Sequence, residues 1–331
     1  MNRSRITLLL LLAMLSVLGV VSTSSAQSDC ATELGFLSVT AAAENSAYVA
    51  PELSVNCDGT TITMNSNNIP NFEFVQITPA DLAANQISYS FPQEPTLTGT
   101  TTEIPIVGTT AITVGGLAIF GPNEAPRDGY RDPYLDNLLD FCGGHTAEGF
   151  YHHHTRPDCL YTAEELSTPG TIIGYSLDGF PILVPYVYDS SGAVVEVNSS
   201  WQYTNPDLDN AWEANEYIAN SGDLDQCNGL ETPNIPDFAY EYAYFATDTF
   251  PYFMGCYVGT ASDGGGVAQM GGAGQGQQAG QGQGQGQPPQ GGQGQGQGQP
   301  PQGGQGQGQP PQGGQGGQGQ LPPPPPGGGG G

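Results

Sequence analysis

The sequence contains no lysine. Chemistry that needs one, from P-loop phosphate binding to Schiff-base and lysine-base catalysis, is excluded. Arginine is nearly as scarce. Apart from Arg3 and Arg5 there are only Arg127, Arg131 and Arg156, set against 32 acidic residues, a balance of −29 for everything after residue 5. A surface of that sign repels phosphate backbones and anionic lipid headgroups, so neither nucleic acid nor a membrane surface is an expected partner. Cys-x-x-Cys is missing, which removes zinc-ribbon and thioredoxin chemistry. There is no Gly-x-Ser-x-Gly, no His-Glu-x-x-His, no cysteine arranged as a nucleophile and no glycine-rich nucleotide motif. No apolar run after residue 26 is long enough to span a bilayer, and no charged residue follows Asp263.

What is present divides the chain into parts. Residues 1–26 read as an export signal: Arg3 and Arg5 make a positive start, residues 6–21 are an almost unbroken apolar run, and Ser24-Ser25-Ala26 offers a small-residue cleavage site before Gln27. The expected location is therefore extracellular or periplasmic, with no membrane span left after cleavage. Residues 264–331 hold 30 of the 50 glycines and 11 of the 28 prolines, with Gln-Pro-Pro-Gln-Gly-Gly recurring at 287–292, 299–304 and 309–314. That composition has little apolar surface to bury against its backbone entropy, and its glycines do not fall at every third position as collagen requires. A disordered spacer or stalk is the expectation. Between the ends lies a globular body, read as an N-terminal β segment over 27–114 and a second domain over 115–263.

Short β-branched runs bounded by Gly, Pro, Asn or Asp predict strands at 61–64, 103–107, 111–114, 117–120, 171–176, 182–187 and 193–197. Asp189-Ser190-Ser191-Gly192 marks a hairpin turn between the last two. Helical patterning is confined to 79–85, 134–141, 162–166 and 209–218. The fold class is thus mainly β with a few short helices. Six cysteines, Cys30, Cys57, Cys142, Cys159, Cys227 and Cys256, suit disulfides in an exported chain, with free buried thiols as the alternative. Sequence proximity and the repeat described below favour Cys30–Cys57, Cys142–Cys159 and Cys227–Cys256.

All four histidines fall within ten residues, as Gly143-Gly144-His145 and Tyr151-His152-His153-His154. On a strand, side chains alternate, so His152 and His154 share one face and His153 takes the other, toward solvent. Two imidazoles at i and i+2 can converge on copper or zinc, with His145 as a third ligand and Asp140 as a fourth ligand or as a group orienting an imidazole. A disulfide from Cys142 to Cys159 would close a loop around the whole set. The alternative is a structural cluster with the imidazoles satisfied by backbone carbonyls.

The cluster has an echo. Leu139-Asp140-Phe141-Cys142-Gly143-Gly144-His145 matches Leu224-Asp225-Gln226-Cys227-Asn228-Gly229-Leu230, and Tyr151–His154 corresponds to Tyr242-Ala243-Tyr244-Phe245. Cys159-Leu160 corresponds to Cys256-Tyr257, and Gly116 through Pro122 to Gly179 through Pro185. Two related half-units around a shared core is the simplest account, and only the first carries imidazoles. With Ile173-Gly174-Tyr175-Ser176-Leu177-Asp178-Gly179-Phe180-Pro181-Ile182 and Phe250-Pro251-Tyr252-Phe253-Met254-Gly255-Cys256, these motifs, in this order over 115–259, resemble the YHYH family, named for a Tyr-His-Tyr-His motif. The resemblance implies an exported protein. It departs from the family pattern at His153, which stands for the second tyrosine, at Leu183-Val184, which stand for Tyr-Gly, and in a second motif that lacks histidine.

Other features carry less chemistry. Asp178-Gly179 reads as a turn, or as a carboxylate presented near the histidines. Asn205-Pro206-Asp207-Leu208-Asp209-Asn210 alternates oxygen ligands like part of a calcium loop, without the Gly and later Glu of an EF-hand, so calcium enters as general stabilisation of an acidic surface. Arg156 pairs with a local carboxylate or clamps an anionic substrate. The expected function is metal binding through His145, His152 and His154, with a divalent cation as partner. The alternatives are a cell-surface or matrix interaction module with structural histidines and, third, a metal-assisted hydrolase or oxidoreductase, for which no general base is identifiable.

Overall fold

The computed structural model describes residues 26–262. The predicted export signal, all but its last residue, and the Gly/Gln/Pro tail lie outside the described residues. The short helix α1 (Ala26–Glu33) leads into a three-stranded antiparallel sheet, β1 (Leu53–Cys57), β2 (Thr61–Ser66) and β3 (Ile87–Pro92). Here the period of two is plain: Ile62 and Met64 on β2 and Ile87, Tyr89 and Phe91 on β3 point inward, while Ser88 and Ser90 face out. Cys30 is bonded to Cys57, which ties α1 to the end of β1.

Next come β4 (Thr102–Glu103), β5 (Thr109–Thr113), β6 (Ala118–Phe120), β7 (Gly144–Ala147), β8 (Phe150–His153), β9 (Ile172–Ser176) and β10 (Pro181–Leu183). β11 (Tyr186–Tyr188) and β12 (Val194–Glu196) form the predicted hairpin, in which Asp189 Oδ1 accepts from the amides of Ser191 and Ala193. β13 (Trp201–Tyr203), the one-turn helix α2 (Ala211–Ala214), β14 (Asn215–Tyr217), β15 (Gly229–Glu231), β16 (Tyr242–Phe245) and β17 (Cys256–Tyr257) complete the described chain.

The centre of the molecule is an eight-stranded sheet in the order β15-β16-β10-β9-β5-β6-β8-β7. Its order reads alike from either end. Each edge is an antiparallel hairpin, with His145 opposite His152 at one end and Leu230 opposite Ala243 at the other. Each hairpin then joins the sheet by a parallel pairing, Ile119 with His153 and Ile182 with Tyr244. The two halves meet where Ile112 on β5 faces Tyr175 on β9. Every residue of β5 is buried, as expected of a strand covered on both faces. The main core gathers Ile112, Ile119, Ile173, Tyr175, Ile182 and Tyr244 from this sheet and Ile62, Met64, Tyr89 and Phe91 from the smaller one.

The helical patterns largely resolve into other structure, because tertiary partners claim the backbone groups a helix would use. Over 134–141 the chain makes turns: Asp132 Oδ1 accepts from the amides of Tyr134 and Leu135, and the carbonyl of Leu138 is taken by His145. Over 79–85 it runs as an irregular strap along the β7–β8 hairpin, with Ala83 N donating to Gly149 O and Thr146 Oγ1 donating to Ala80 O. The 209–218 pattern yields only α2, since Asn215 turns extended to pair with Tyr203. The 162–166 pattern becomes a single 3-10 turn, Glu165–Ser167, in which Thr162 and Glu165 cap each other. The predicted strand over 182–187 is broken after Leu183, with Pro185, which has no amide hydrogen, in the gap before β11.

Candidate metal centre

Two glycine-bearing turns set up the two edge hairpins in the same way. In the first, Asp140 Oδ1 accepts from the amides of Cys142 (2.9 Å) and Gly144 (3.2 Å), and the Tyr151 hydroxyl donates to both carboxylate oxygens at 3.0 and 2.9 Å. In the second, Asp225 Oδ1 accepts from Cys227 (2.8 Å) and Gly229 (3.0 Å), and Tyr242 donates at 3.0 and 3.1 Å. Burial raises the pKa of both carboxyls, and the same kinds of donor, two amides and a tyrosine, oppose it. The tyrosine ring lies directly over the glycine in each: a Cβ on Gly144 would stand 2.5 Å from the Tyr151 hydroxyl, and one on Gly229 2.1 Å from that of Tyr242. Gly143 (φ 76°) and Asn228 (φ 67°) hold the left-handed position of each turn. Disulfides Cys142–Cys159 and Cys227–Cys256 tie each turn to the chain that follows. Asp140 is therefore part of a clasp. The structure does not bring it to the histidines, because its oxygens are already engaged by the turn it closes.

The clasp aims β8. His152 and His154 fall on one face with His145 across the hairpin, and their ring centroids form a near-equilateral triangle of 4.7, 4.9 and 5.0 Å. Each Nδ1 meets a backbone carbonyl: His145 to Leu138 at 2.9 Å, His152 to Phe150 at 3.2 Å and His154 to Gly121 at 2.7 Å. A carbonyl accepts only, so each Nδ1 carries the hydrogen and each Nε2 presents a lone pair. The Nε2 atoms of His145 and His152 stand 3.1 Å apart, and that of His154 is buried with no hydrogen-bond partner. These three are the one group of three or more His, Cys, Asp or Glu side chains among the described residues whose ligand atoms converge, all within 4.8 Å of one another. Burial lowers the pKa of all three, that of His154 to about 3, and the neighbouring imidazoles add to the effect at His152 and His154.

His153 does not face solvent as the strand alternation suggested. It is fully buried, with Nδ1 on Cys142 O at 3.0 Å and its ring against Phe72 and Tyr151, because the segment before β3 covers that face too. Burial takes its pKa down to about 3.

A residue that the sequence motifs did not single out completes the surroundings. Glu124, in the loop after β6, places Oε1 3.4 Å from His145 Nε2. That oxygen is buried and has no hydrogen-bond partner, and burial, its largest influence, pushes the carboxyl up to about 7. The loop is well fixed: Asn123 Nδ2 donates to Ile106 O, Trp212 Nε1 donates to Asn123 Oδ1, and Glu124 N donates to Arg131 O. Phe120, just before it, stacks on His152 at 3.9 Å. The signal was a lone acid two residues after Gly121-Pro122, whose echo Val184-Pro185 is followed at the same distance by Val187.

Two cavities reach the cluster. One, of about 460 Å³, has apolar walls from Ile106, Val107, Phe120 and Pro126 and is also lined by the buried His152 and His154. The other, of about 530 Å³, is lined by His145, and Glu124 lines both. The remaining candidates are engaged elsewhere. Asp178 accepts from Ser176 Oγ, Tyr244 Oη and the amides of Val258 and Gly259. Asn210 uses its side chain to cap α2. Arg156 pairs with Asp158 and Asp248 and donates to Ala246 O, which makes it a structural tie.

No curated protein and no solved structure matches the chain. The paired clasps, the edge hairpin with its Tyr151-His152-His153-His154 run and the central strands all lie within residues 88–259, the stretch that matches the model of the family described as YHYH protein, and the chain belongs to that family.

Proposed function

We propose that the protein binds a divalent transition metal, copper or zinc, through Nε2 of His145, His152 and His154. The observation that carries this reading is the orientation of the rings. Three carbonyls hold the three Nδ1–H groups, which leaves three Nε2 lone pairs free in a buried space where ligand atoms of all three rings lie within 4.8 Å of one another. The 3.1 Å between two of them is close to the roughly 3.3 Å that separates nitrogens on a tetrahedral ion with bonds of about 2.0–2.1 Å. Lone pairs at that separation repel unless a proton or a metal cation lies between them, and neutral imidazole is the form that copper and zinc take. The carbonyls fixing each Nδ1 are the partners that ligating histidines use to set their tautomer.

A resident ion supplies Lewis acidity. The protein's own contribution is to fix the three rings, to shield them with Phe120 and to leave an apolar cavity at His152 and His154. The reading is one of binding; no reaction is assigned. Export fits it, since three disulfides persist in an oxidising compartment.

Elemental analysis of purified full-length protein, alongside a His152→Ala/His154→Ala double variant, tests the proposal. Close to one equivalent of metal in the wild type and none in the variant is the expected result. Equal metal content in the two, or metal in neither after incubation with Zn(II) and Cu(II), would sink it. The latter result would leave a structural cluster whose imidazoles are held by backbone carbonyls.

A further inference from the structure

We propose that Glu124 is the fourth donor of this site, so that the protein holds its ion in a set of three imidazoles and one carboxylate. The inference rests on the metal reading above and extends it to a residue that belongs to no histidine motif.

Distance is the first argument. Oε1 of Glu124 lies 3.4 Å from His145 Nε2, and His145 Nε2 lies 3.1 Å from His152 Nε2. Both are close to an edge of the tetrahedron described above, at about 3.3 Å. Oε1 and His154 Nε2 are both buried side-chain acceptors without a hydrogen-bond partner. A buried carboxylate oxygen with no donor costs free energy on the order of a few kcal/mol, and coordination is one of the few arrangements that satisfies it. Arg127 and Arg131, the cations nearest in the chain, are occupied: Arg127 with Asp128 and Glu148, and Arg131 with Asp136.

The second argument comes from the other half of the molecule and is independent of distances at the site. Register equates Ile119 with Ile182 through their parallel partners His153 and Tyr244, and His145 and His152 with Leu230 and Ala243 through the hairpins. Counting from Ile119 and Ile182, Glu124 falls on Val187; counting from His152 and Ala243, His154 falls on Phe245. The four positions that carry His145, His152, His154 and Glu124 thus carry Leu230, Ala243, Phe245 and Val187 in the other half. There Val187, Ala243 and Phe245 are buried in a single apolar cluster, with Leu230 packed against it. One half has three converging imidazoles with a carboxylate oxygen 3.4 Å from one of them, and the other half has four contacting hydrocarbons. That all four positions differ together marks Glu124 as a member of the same set, since a solvating or merely local acid would have no reason to be replaced by a core valine in step with the histidines.

A carboxylate also changes what the site selects. Three neutral imidazoles alone tolerate a monovalent copper ion, whereas an added hard, anionic oxygen favours a divalent ion and offsets part of its charge in a buried space. Zn(II), Co(II) or Cu(II) is therefore the expected occupant class.

The test compares full-length wild type, Glu124→Gln and Glu124→Asp after chelator stripping, with Zn(II) affinity measured by competition against a chromophoric chelator and Co(II) as a spectroscopic probe. Wild type should bind one equivalent. Glu124→Gln should bind at least about ten-fold more weakly, with a shifted Co(II) visible spectrum, and Glu124→Asp should fall between them. Thermal melts of the stripped proteins guard against misfolding. Glu124→Gln should melt no lower than wild type without metal, and a variant that melts lower is replaced by Glu124→Asp in the comparison. Unchanged affinity together with an unchanged Co(II) spectrum in Glu124→Gln would overturn the inference while leaving the three-histidine reading intact. Absence of metal from wild type would overturn both.

Discussion

The Asp140 clasp is the element that most directly converts sequence into site geometry, and Tyr151→Phe perturbs it with little other change. Tyr151 is fully buried, and its hydroxyl donates at 3.0 and 2.9 Å to a carboxyl that is itself only 8% exposed. The ring contacts with Phe72 and Phe74 survive the substitution, so the loss is one hydrogen bond to a charged acceptor, worth about 1.5–3 kcal/mol at neutral pH. For a body of this size that amounts to a fall in melting temperature of roughly 4–10 °C. The pH dependence adds a second, independent sign. Burial already holds the Asp140 pKa above its unfolded value, with Gly144, Tyr151 and Cys142 pulling it back, so removing the hydroxyl raises it further. Above that folded pKa the ionised carboxylate feels the missing donor in full. As pH falls through it the carboxyl is protonated in the folded variant, and the deficit relative to wild type shrinks. Urea unfolding of both proteins in chelator at pH 7 and pH 4.5 measures both effects. Tyr242→Phe is a matched control, since its hydroxyl donates at 3.0 and 3.1 Å to Asp225 in the same arrangement, and it should cost a similar amount. A Tyr151→Phe variant within about 0.5 kcal/mol of wild type at pH 7, or with the same deficit at both pH values, would refute the reasoning.

Other perturbations have outcomes of comparable sharpness. Replacing Cys142 and Cys159 together by alanine opens a loop with a sequence separation of 17, and loop-closure entropy puts the cost at about 3 kcal/mol, read from denaturant midpoints under identical conditions. Gly144→Ala drives a Cβ to 2.5 Å from both the Tyr151 hydroxyl and the His152 carbonyl oxygen, so a thermal melt should record a loss of about 3 kcal/mol and the variant should also bind less metal. His153→Tyr tests the buried neutral imidazole that is not a ligand. Its pKa, near 6.5 unfolded and about 3 folded, makes wild type lose stability as pH falls below 6.5, and the stability gap between the proteins should move by about 1.4 kcal/mol in the variant's favour from pH 7.5 to 5.5. An unchanging gap would mean that the folded imidazole titrates like an unfolded one.

Much of the site was legible because its determinants are local. Strand alternation put His152 and His154 on one face, the Gly143-Gly144 turn brought His145 opposite, and the cysteine spacing within each echo paired Cys142 with Cys159 and Cys227 with Cys256. The echo also located the two edge hairpins. What escaped depended on contacts distant in sequence. Glu124 joins the cluster only because β6 runs parallel to β8, a pairing that alternation in either strand does not announce. His153 is buried by Phe72, 81 positions away, so its two-sided cover was invisible to a single-strand pattern. Asp140 had the right chemistry and the wrong neighbours: its own turn amides lie closer than any imidazole. The short helical patterns failed for a related reason, since carbonyls such as that of Leu138 were spent on side chains elsewhere.

β7, which carries His145, is the last strand of the large sheet. An outermost strand normally offers a row of unused donors and acceptors that can recruit a strand from another molecule, and that is how many β proteins begin to aggregate. Here the irregular segment over 78–85 occupies the position such a strand would take. Thr78 donates to the Thr146 carbonyl oxygen, Thr146 donates to Ala80 O, and Ala83 N is bonded to Gly149 O. The same stretch whose sequence resembles a helix therefore serves as a guard against edge-to-edge association, and it does so beside the histidine whose exposure to a foreign strand would most disturb the site.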